Sequence, residues 1–318
     1  MTLNNLLPDI FTQRLKEIVP TEQYPYVLAS FSHTRPTSFR VNSLKTSTED
    51  LLKELQQNNI TAQPISWYDQ AFIIPHKQRN LLTASNAFNQ GRLYVQGLPS
   101  MLAPLVLAPK PNEEILDLAA APGGKTCQIA CMMHDKGRIA AVEKSKSRFF
   151  KLKHNLKTQG VTCADTYLKD GGEVWRACEN RFDRVLLDAP CSSEARFKPS
   201  KPKTFDYWSE KKIKEMTRKQ WRLIYSAFRS LKPGGILVYS TCSFAPEENE
   251  LIVDRLLKRF KGSADIKKLN LPIDNVQPGL TTWRDKTLNP ALDNCVRILP
   301  NDLMTGFFMC QILKQTLS

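Results

Sequence analysis

Near the amino terminus Leu6, Ile10, Phe11, Leu15 and Ile18 fall at helical spacing before Pro20, which predicts one or two short helices across residues 1–32. Ser38 to Leu44 alternates apolar and polar positions as a half-buried strand does. Ser47-x-x-Asp50 then has the form of a helix-opening box, and Leu51, Leu52 and Leu55 give that helix an apolar face up to Asn58-Asn59. A further strand, Ala71 to Ile74, stops at Pro75. Strand, helix and strand together predict a small α+β module over residues 1–88.

From residue 89 onward, and plainly from Tyr94, strands alternate with helices. The strand candidates are Glu114–Leu118, Arg138–Val142, Thr166–Leu168, Arg184–Leu187 and Ile236–Ser240, several of them near-continuous apolar runs. Helices fill the gaps at Lys125–Met133, Lys146–Gln159, Lys212–Leu231 and Glu247–Phe260. Apolar strands separated by helices predict an α/β, doubly wound parallel sheet covered on both faces. Gly306–Leu313 reads as a last strand, antiparallel at the sheet's far side.

Composition adds class rather than fold. The chain has 318 residues, 42% of them hydrophobic, with a mean hydropathy of −0.36, which suits an ordered globular protein of one large or two modest domains. Apolar runs such as Met101–Ala108 are too short for a bilayer, and MTLNNLLPDIFTQ carries no secretory leader. A cytoplasmic monomer, away from any membrane, is expected. None of the eight cysteines forms a C-x-x-C pair, and the four histidines are not spaced to complete a zinc site. Reduced thiols and no metal follow.

The net charge of +14 is concentrated in two stretches. Residues 144–158 carry a net +6 and residues 196–222 a net +7, against +1 for residues 1–90. The second run interleaves Phe197, Phe205, Tyr207, Trp208 and Trp221, the residue types on which unpaired bases stack. A lysine-rich solvated face is the plainer reading of such a run; a polyanion is the expected partner. On this reading Arg35, Arg40 and Asn42 of the first module orient the nucleic acid rather than attract it.

The sharpest motif is Asp117-Leu-Ala-Ala-Ala-Pro-Gly-Gly-Lys125, an apolar strand running through small residues into a helix. It is neither G-x-G-x-x-G nor a P-loop, so neither a dinucleotide nor a nucleoside triphosphate is indicated. Glu143 closes the next strand, where ribose hydroxyls are held in nucleotide-binding sheets, and Asp170 follows the third, in reach of an adenine amino group. Together these strand ends describe an adenosine pocket. The fourth and fifth strands run into Asp188-Ala-Pro-Cys-Ser192 and Ser240-Thr-Cys-Ser243. Neighbouring strands bring both thiols to one sheet edge.

Phe39-Arg-Val-Asn-Ser-Leu-Lys45, Tyr94-x-Gln96, Ala119-Ala-Ala-Pro-Gly-Gly-Lys125, the two cysteine motifs, Pro246-Glu-Glu-Asn-Glu250 and Gly306-Phe-Phe308 resemble, in order over residues 35–313, the Nop/Sun family of RNA cytosine-5 methyltransferases. The resemblance implies a Rossmann-like methyltransferase sheet behind an RNA-recognition-like module, with S-adenosylmethionine as cofactor. It implies that Ala119, Ala120, Ala121, Pro122, Gly123, Gly124, Lys125, Glu143, Asp170 and Asp188 hold the cofactor. It further implies Cys242 as nucleophile toward carbon 6 of cytosine and Cys191 as the cysteine that helps release product. Asp188 stabilises the activated ring, and Lys125 supports the same pocket. The family commonly continues its aspartate–proline–cysteine motif with glycines, whereas Ser193-Glu-Ala-Arg-Phe197 follows here; the departure bears on that loop's conformation and on target choice. A DNA cytosine-5 methyltransferase would use Cys191 as nucleophile, and an RNA-binding assembly factor would keep the fold with little turnover. Between RNAs, rRNA is favoured slightly over tRNA, because no appended tRNA-reading domain is read in the sequence.

Overall fold

The computed structural model describes residues 7–316. The chain opens with α1 (Asp9–Ile18) and α2 (Tyr24–Ser30); Leu6, expected on the stripe of the first helix, lies outside the described residues. Helix α1 buries Phe11, Leu15 and Ile18 on one face. That face packs on a distant part of the chain, where Phe11 stands edge-on to Phe197 at 4.9 Å and to Trp208 at 5.7 Å.

A small antiparallel sheet follows. Its strands are β1 (Thr37–Val41), β2 (Gln63–Pro64), β3 (Ala71–Ile74) and β4 (Leu93–Val95), in the order β2-β3-β1-β4. Helix α3 (Thr48–Gln57) is capped by Ser47, whose hydroxyl accepts from the Asp50 amide at 3.1 Å. Short helices α4 (Arg79–Ala84) and α5 (Asn86–Asn89) complete the unit. Phe39, Leu51, Leu55, Phe72 and Leu82 share its core. The expected boundary at residue 88 would sever β4, which pairs with β1 through Phe39–Val95 and Arg40–Tyr94. Three residues are too few to show alternation, so this strand left no pattern to read.

Helix α6 (Leu98–Leu107) is apolar nearly all round and is buried accordingly. The main sheet begins with β5 (Glu114–Asp117), then α7 (Gly124–Met132), β6 (Arg138–Glu143), α8 (Lys146–Gln159), β7 (Ala164–Leu168), β8 (Phe182–Asp188), α9 (Glu210–Ser230), β9 (Leu231–Thr241) and α10 (Glu250–Arg259). Its parallel strands lie in the order β7-β6-β5-β8-β9. The chain therefore builds outward in both directions from β5, and the crevice at such a reversal lies over the carboxyl ends of the strands.

Five short strands precede the last one: β10 (Ala264–Lys267), β11 (Val276–Pro278), the hairpin of β12 (Thr282–Trp283) and β13 (Lys286–Thr287), and β14 (Val296–Ile298). Strand β15 (Phe307–Lys314) runs antiparallel beside β9, from Phe308–Thr241 to Leu313–Ile236. It is not an outer edge, because β14 and β10 both pair with it.

Candidate active site

The turn from β5 into α7 is tight by construction. Gly123 adopts φ 107°, in the region that favours glycine, and a Cβ on Gly124 would stand 2.8 Å from the Tyr94 ring. Arg40, fully buried on β1, donates to the Gly124 carbonyl at 3.3 Å and to Gln96 Oε1 at 3.2 Å, tying the small sheet to this turn. Lys125 Nζ donates to Ser100 Oγ and to Asp188 Oδ2, each at 2.6 Å. Asp188 Oδ1 accepts from Ser240 Oγ at 2.9 Å. Below them Asp117 accepts from Thr126 Oγ1 at 2.7 Å, and burial pushes its carboxyl up to about 6.

A cavity of about 460 Å³ opens over this edge. Ala119, Ala120, Ala121, Pro122, Gly124, Lys125, Asp188 and Cys242 line it, with Tyr94, Gln96, Arg196 and Phe307 closing its sides. Three of the residues expected to hold the cofactor stand outside it, as does Cys191. Gly123 faces Leu152. Asp170 caps the Gly171–Arg176 turn, accepting from the Gly172 amide at 3.0 Å and from Lys144 at 2.8 Å. Glu143 is buried, with Oε1 accepting from the Ser145 amide at 2.8 Å. Its Oε2 lies 3.4 Å from Arg148 without a hydrogen bond. A buried carboxylate oxygen with capacity to spare, beside a turn that tolerates no extra side-chain atom, suits a nucleoside with free hydroxyls. The residues therefore fit the adenosine part of S-adenosylmethionine.

The two thiols meet at the far side of the cavity. Cys191 and Cys242, half-buried beyond the ends of β8 and β9, have their sulfurs 3.3 Å apart. The hydrogen bond from Cys191 and the charge of Arg196 bring the Cys242 thiol down to about 6, against the effect of burial. The same bond, then burial, raises Cys191 well above its ordinary value. Cys242 is thus the thiolate of the pair. Ser193, where the family commonly has glycine, takes φ 60°, a left-handed conformation costly for a residue with a Cβ.

Beneath the thiols lies a polar network that sequence reasoning missed. Glu248 is buried and accepts from the Ser192 amide at 2.9 Å and from Gln220 Nε2 at 2.8 Å. Glu194, also buried, accepts from the Phe244 and Ala245 amides at 2.8 and 2.9 Å. Ser243 Oγ touches both carboxylates, at 3.0 Å to Glu194 and 3.1 Å to Glu248. It has one proton to donate. Burial, and then the charge of Glu194, push Glu248 up to about 7, so that Glu248 can carry the second proton. The signal was present in Pro246-Glu-Glu-Asn-Glu250, acids crowded directly after a cysteine loop. Asp117 could have been found by the strand-end rule that found Glu143 and Asp188.

Two readings of the basic run need correction. Phe197 and Trp208 are core residues packed on Phe11, Phe205 packs against the same cluster, and Trp221 lies under the Arg255 guanidinium at 3.9 Å. Only Tyr207 of the five aromatics is exposed. The segment leading into α9 needs Phe197, Phe205 and Trp208 to dock on α1, and basic neighbours mask that in one dimension. Likewise Arg40 and Asn42 are fully buried, and Arg35 donates to the carbonyls of Ser30, Asn301 and Met304. Arg40 and Asn42 are thus spent on holding the small sheet in place, and the Arg35 guanidinium is taken up by carbonyls.

Residues 104–313 match the family model for the 16S rRNA methyltransferase RsmB/F, and residues 7–98 match that for the N-terminal domain of 16S rRNA methyltransferase RsmF. The chain belongs to the RsmB/F methyltransferase family. Within it, the tRNA (cytosine(49)-C(5))-methyltransferase of Pyrococcus abyssi is 39% identical over 282 residues, 87% of this chain and 88% of that one. The ribosomal RNA small subunit methyltransferase F of Vibrio parahaemolyticus is 32% identical over 98% of this chain; the chain spans 64% of that relative's length. A crystal structure of a methyltransferase homologue from Pyrococcus horikoshii superposes with a TM-score of 0.85 at 30% identity, covering 99% of this chain and 97% of the other. The RsmB/F fold is thus the Rossmann-like methyltransferase sheet with an amino-terminal module. Among the described residues no helix is long and apolar enough to cross a membrane, and no cluster of His, Cys, Asp or Glu could hold a metal ion.

Proposed function

We propose that the chain transfers the methyl group of S-adenosylmethionine to carbon 5 of a cytosine in RNA, as a cytoplasmic monomer. The observation that carries the reading is the thiol pair, with sulfurs 3.3 Å apart and Cys242 lining the same cavity as the Ala119–Lys125 turn. Residues 97–318 carry the transfer, the boundary standing at Gly97 and not after residue 88, so that β4 stays with the RNA-recognition-like module.

Carbon 5 of cytosine is a poor nucleophile until a group adds at carbon 6. Cys242, held as thiolate, makes that addition, and the resulting enamine-like ring attacks through carbon 5. S-adenosylmethionine, when bound, supplies an electrophilic methyl on a sulfonium. Ala119 to Lys125 and Glu143 hold its adenosine part, with Asp170 at the adenine end. Asp188, fixed by Lys125 and Ser240, accepts from the amino group of the cytosine and from N3 once N3 has taken a proton from solvent, so that thiolate addition leaves no anion on the ring. The proton on carbon 5 must then leave before Cys242 can depart. With Cys242 bonded to carbon, the contact that held the Cys191 proton is gone; Cys191 releases that proton to solvent, and its thiolate takes the carbon-5 proton as the ring double bond re-forms and expels the Cys242 thiolate.

Relatives named for rRNA and for tRNA both align, so both substrates belong in the test. The purified chain is incubated with rRNA and tRNA and labelled cofactor, and bisulfite sequencing compares total RNA from cells with and without the gene. A cytosine methylated only where the gene is present is the expected result. Methyl transfer to DNA alone, or to no nucleic acid, overturns the proposal.

A further inference from the structure

Beside the active-site cavity lies a second cleft, of about 550 Å³, between the small sheet and the large one. The two share Val95, Gln96, Gly97, Pro99 and Thr305, so only this thin partition separates them. The outer cleft is polar and cationic. Arg79 from one wall and Lys198 and Lys201 from the other are exposed, and make no ion pair among the described residues. No carboxylate is among its described lining residues. Its floor holds a further sign of a missing partner. Thr37, 3% exposed, keeps its Oγ1 without a hydrogen-bond partner among the described residues, a state that costs free energy unless a ligand relieves it.

Resting on the proposal that the substrate is RNA, we infer that this cleft seats the nucleotide adjacent to the target cytosine. Unpaired cations on opposite walls suit the phosphates on either side of one nucleotide, and the buried Thr37 hydroxyl suits a base edge. Phosphate contacts fix register while base contacts discriminate, so the two groups of residues have separable effects. The walls come from loops on both sheets, which gives their joining through Arg40 a use beyond stability.

The test measures methyl transfer to a pool of short RNAs in which the positions flanking one cytosine are randomised. The triple variant R79Q/K198Q/K201Q is expected to weaken RNA binding and to lower the slope of log affinity against log salt by about 2, at about 0.7 per single-strand phosphate contact. Its cofactor affinity stays unchanged. T37V is expected to leave that slope intact but to reduce the preference for the favoured neighbour by about three- to tenfold, as for one lost hydrogen bond, with T37S restoring it. Thermal melting of each variant separates these effects from misfolding. A wild-type chain that methylates RNA with no neighbour preference, or folded variants with wild-type slope and preference, overturn the cleft alone. A wild-type chain that methylates no RNA overturns the parent reading as well.

Discussion

Two pairs of cysteines lie close together in the large sheet, and their fates differ. Cys191 and Cys242 sit past the carboxyl ends of β8 and β9, half-exposed, beside Arg196 and with Cys242 opening on a cavity. Cys295 and Cys310, just before β14 and within β15, are buried in the apolar core. Burial, then the contact with Cys310, raises the Cys295 thiol well above its ordinary value. In each pair one thiol raises the other's resistance to ionisation. What separates them is that a strand end can offer a cation and an opening, while a strand interior offers hydrocarbon, which disfavours the charged form.

The largest test removes the reactive atoms. C242A is expected to lower methyl transfer by about 10⁴-fold or more, as loss of a covalent nucleophile does, with cofactor binding intact by calorimetry. C191A should instead accumulate a protein–RNA adduct visible on a denaturing gel, because addition proceeds and elimination stalls. Adduct on C242A and not on C191A would reverse the two roles.

Ionisation sharpens the comparison. Cys242 near 6 predicts alkylation by iodoacetamide that rises through pH 6 and levels off above pH 7, located on the chain by mass spectrometry. R196Q removes a facing positive charge, and its midpoint should move up by about one unit. Cys295 should stay unmodified in the folded chain throughout. Alkylation of Cys295 before Cys242 would break the distinction.

How much of this was legible in the sequence differs by region. The inner parallel strands were readable because burial on both faces makes them near-continuous apolar runs, and the thiols because they follow such runs; β7, at the edge, was found from its place in the alternation. Strands of two to four residues between 264 and 298 show no periodicity, and β4 was lost for the same reason. The cofactor turn stood out through its glycines. Asp117, Glu194 and Glu248 did not, since an acid in a sequence carries no mark of burial. The aromatics at 197–221 misled because proximity to lysine in sequence says nothing about direction in space.

The acids beneath the reactive pair give a stability prediction with a definite sign. Glu248 folds with its carboxyl raised to about 7, so the fold favours the protonated form. That contribution is complete below the unfolded value near 4.5 and is lost as pH rises through 7. A shift of this size corresponds to about 3 to 4 kcal/mol at about 1.4 kcal/mol per unit. In urea titrations between pH 5 and 8, E248Q should lose less stability than the wild type by up to that amount. Asp117 titrates in both proteins and cancels in the difference. Equal slopes in the two proteins would mean that Glu248 is ionised in the fold across this range and that no second proton is held there.

The smallest effect tests the silent pair. Cys295 packs so closely on its surroundings that a Cβ added to Gly279 would stand 2.9 Å from its own Cβ. Here the thiol acts as a small apolar group filling space. C295A deletes one buried atom and leaves Cys310 without its neighbour, so a loss of about 1 kcal/mol is expected, read as a shift of the urea midpoint at constant slope. C295V fills the space again but adds a branch against the Gly279 backbone, and should not recover the loss. Methyl transfer by C295A should stay within about twofold of wild type, because nothing it touches reaches the cavity, as expected for separated sites. A tenfold fall in rate with unchanged stability would give the silent pair a part in the chemistry, and chemical environment would no longer explain why only one pair reacts.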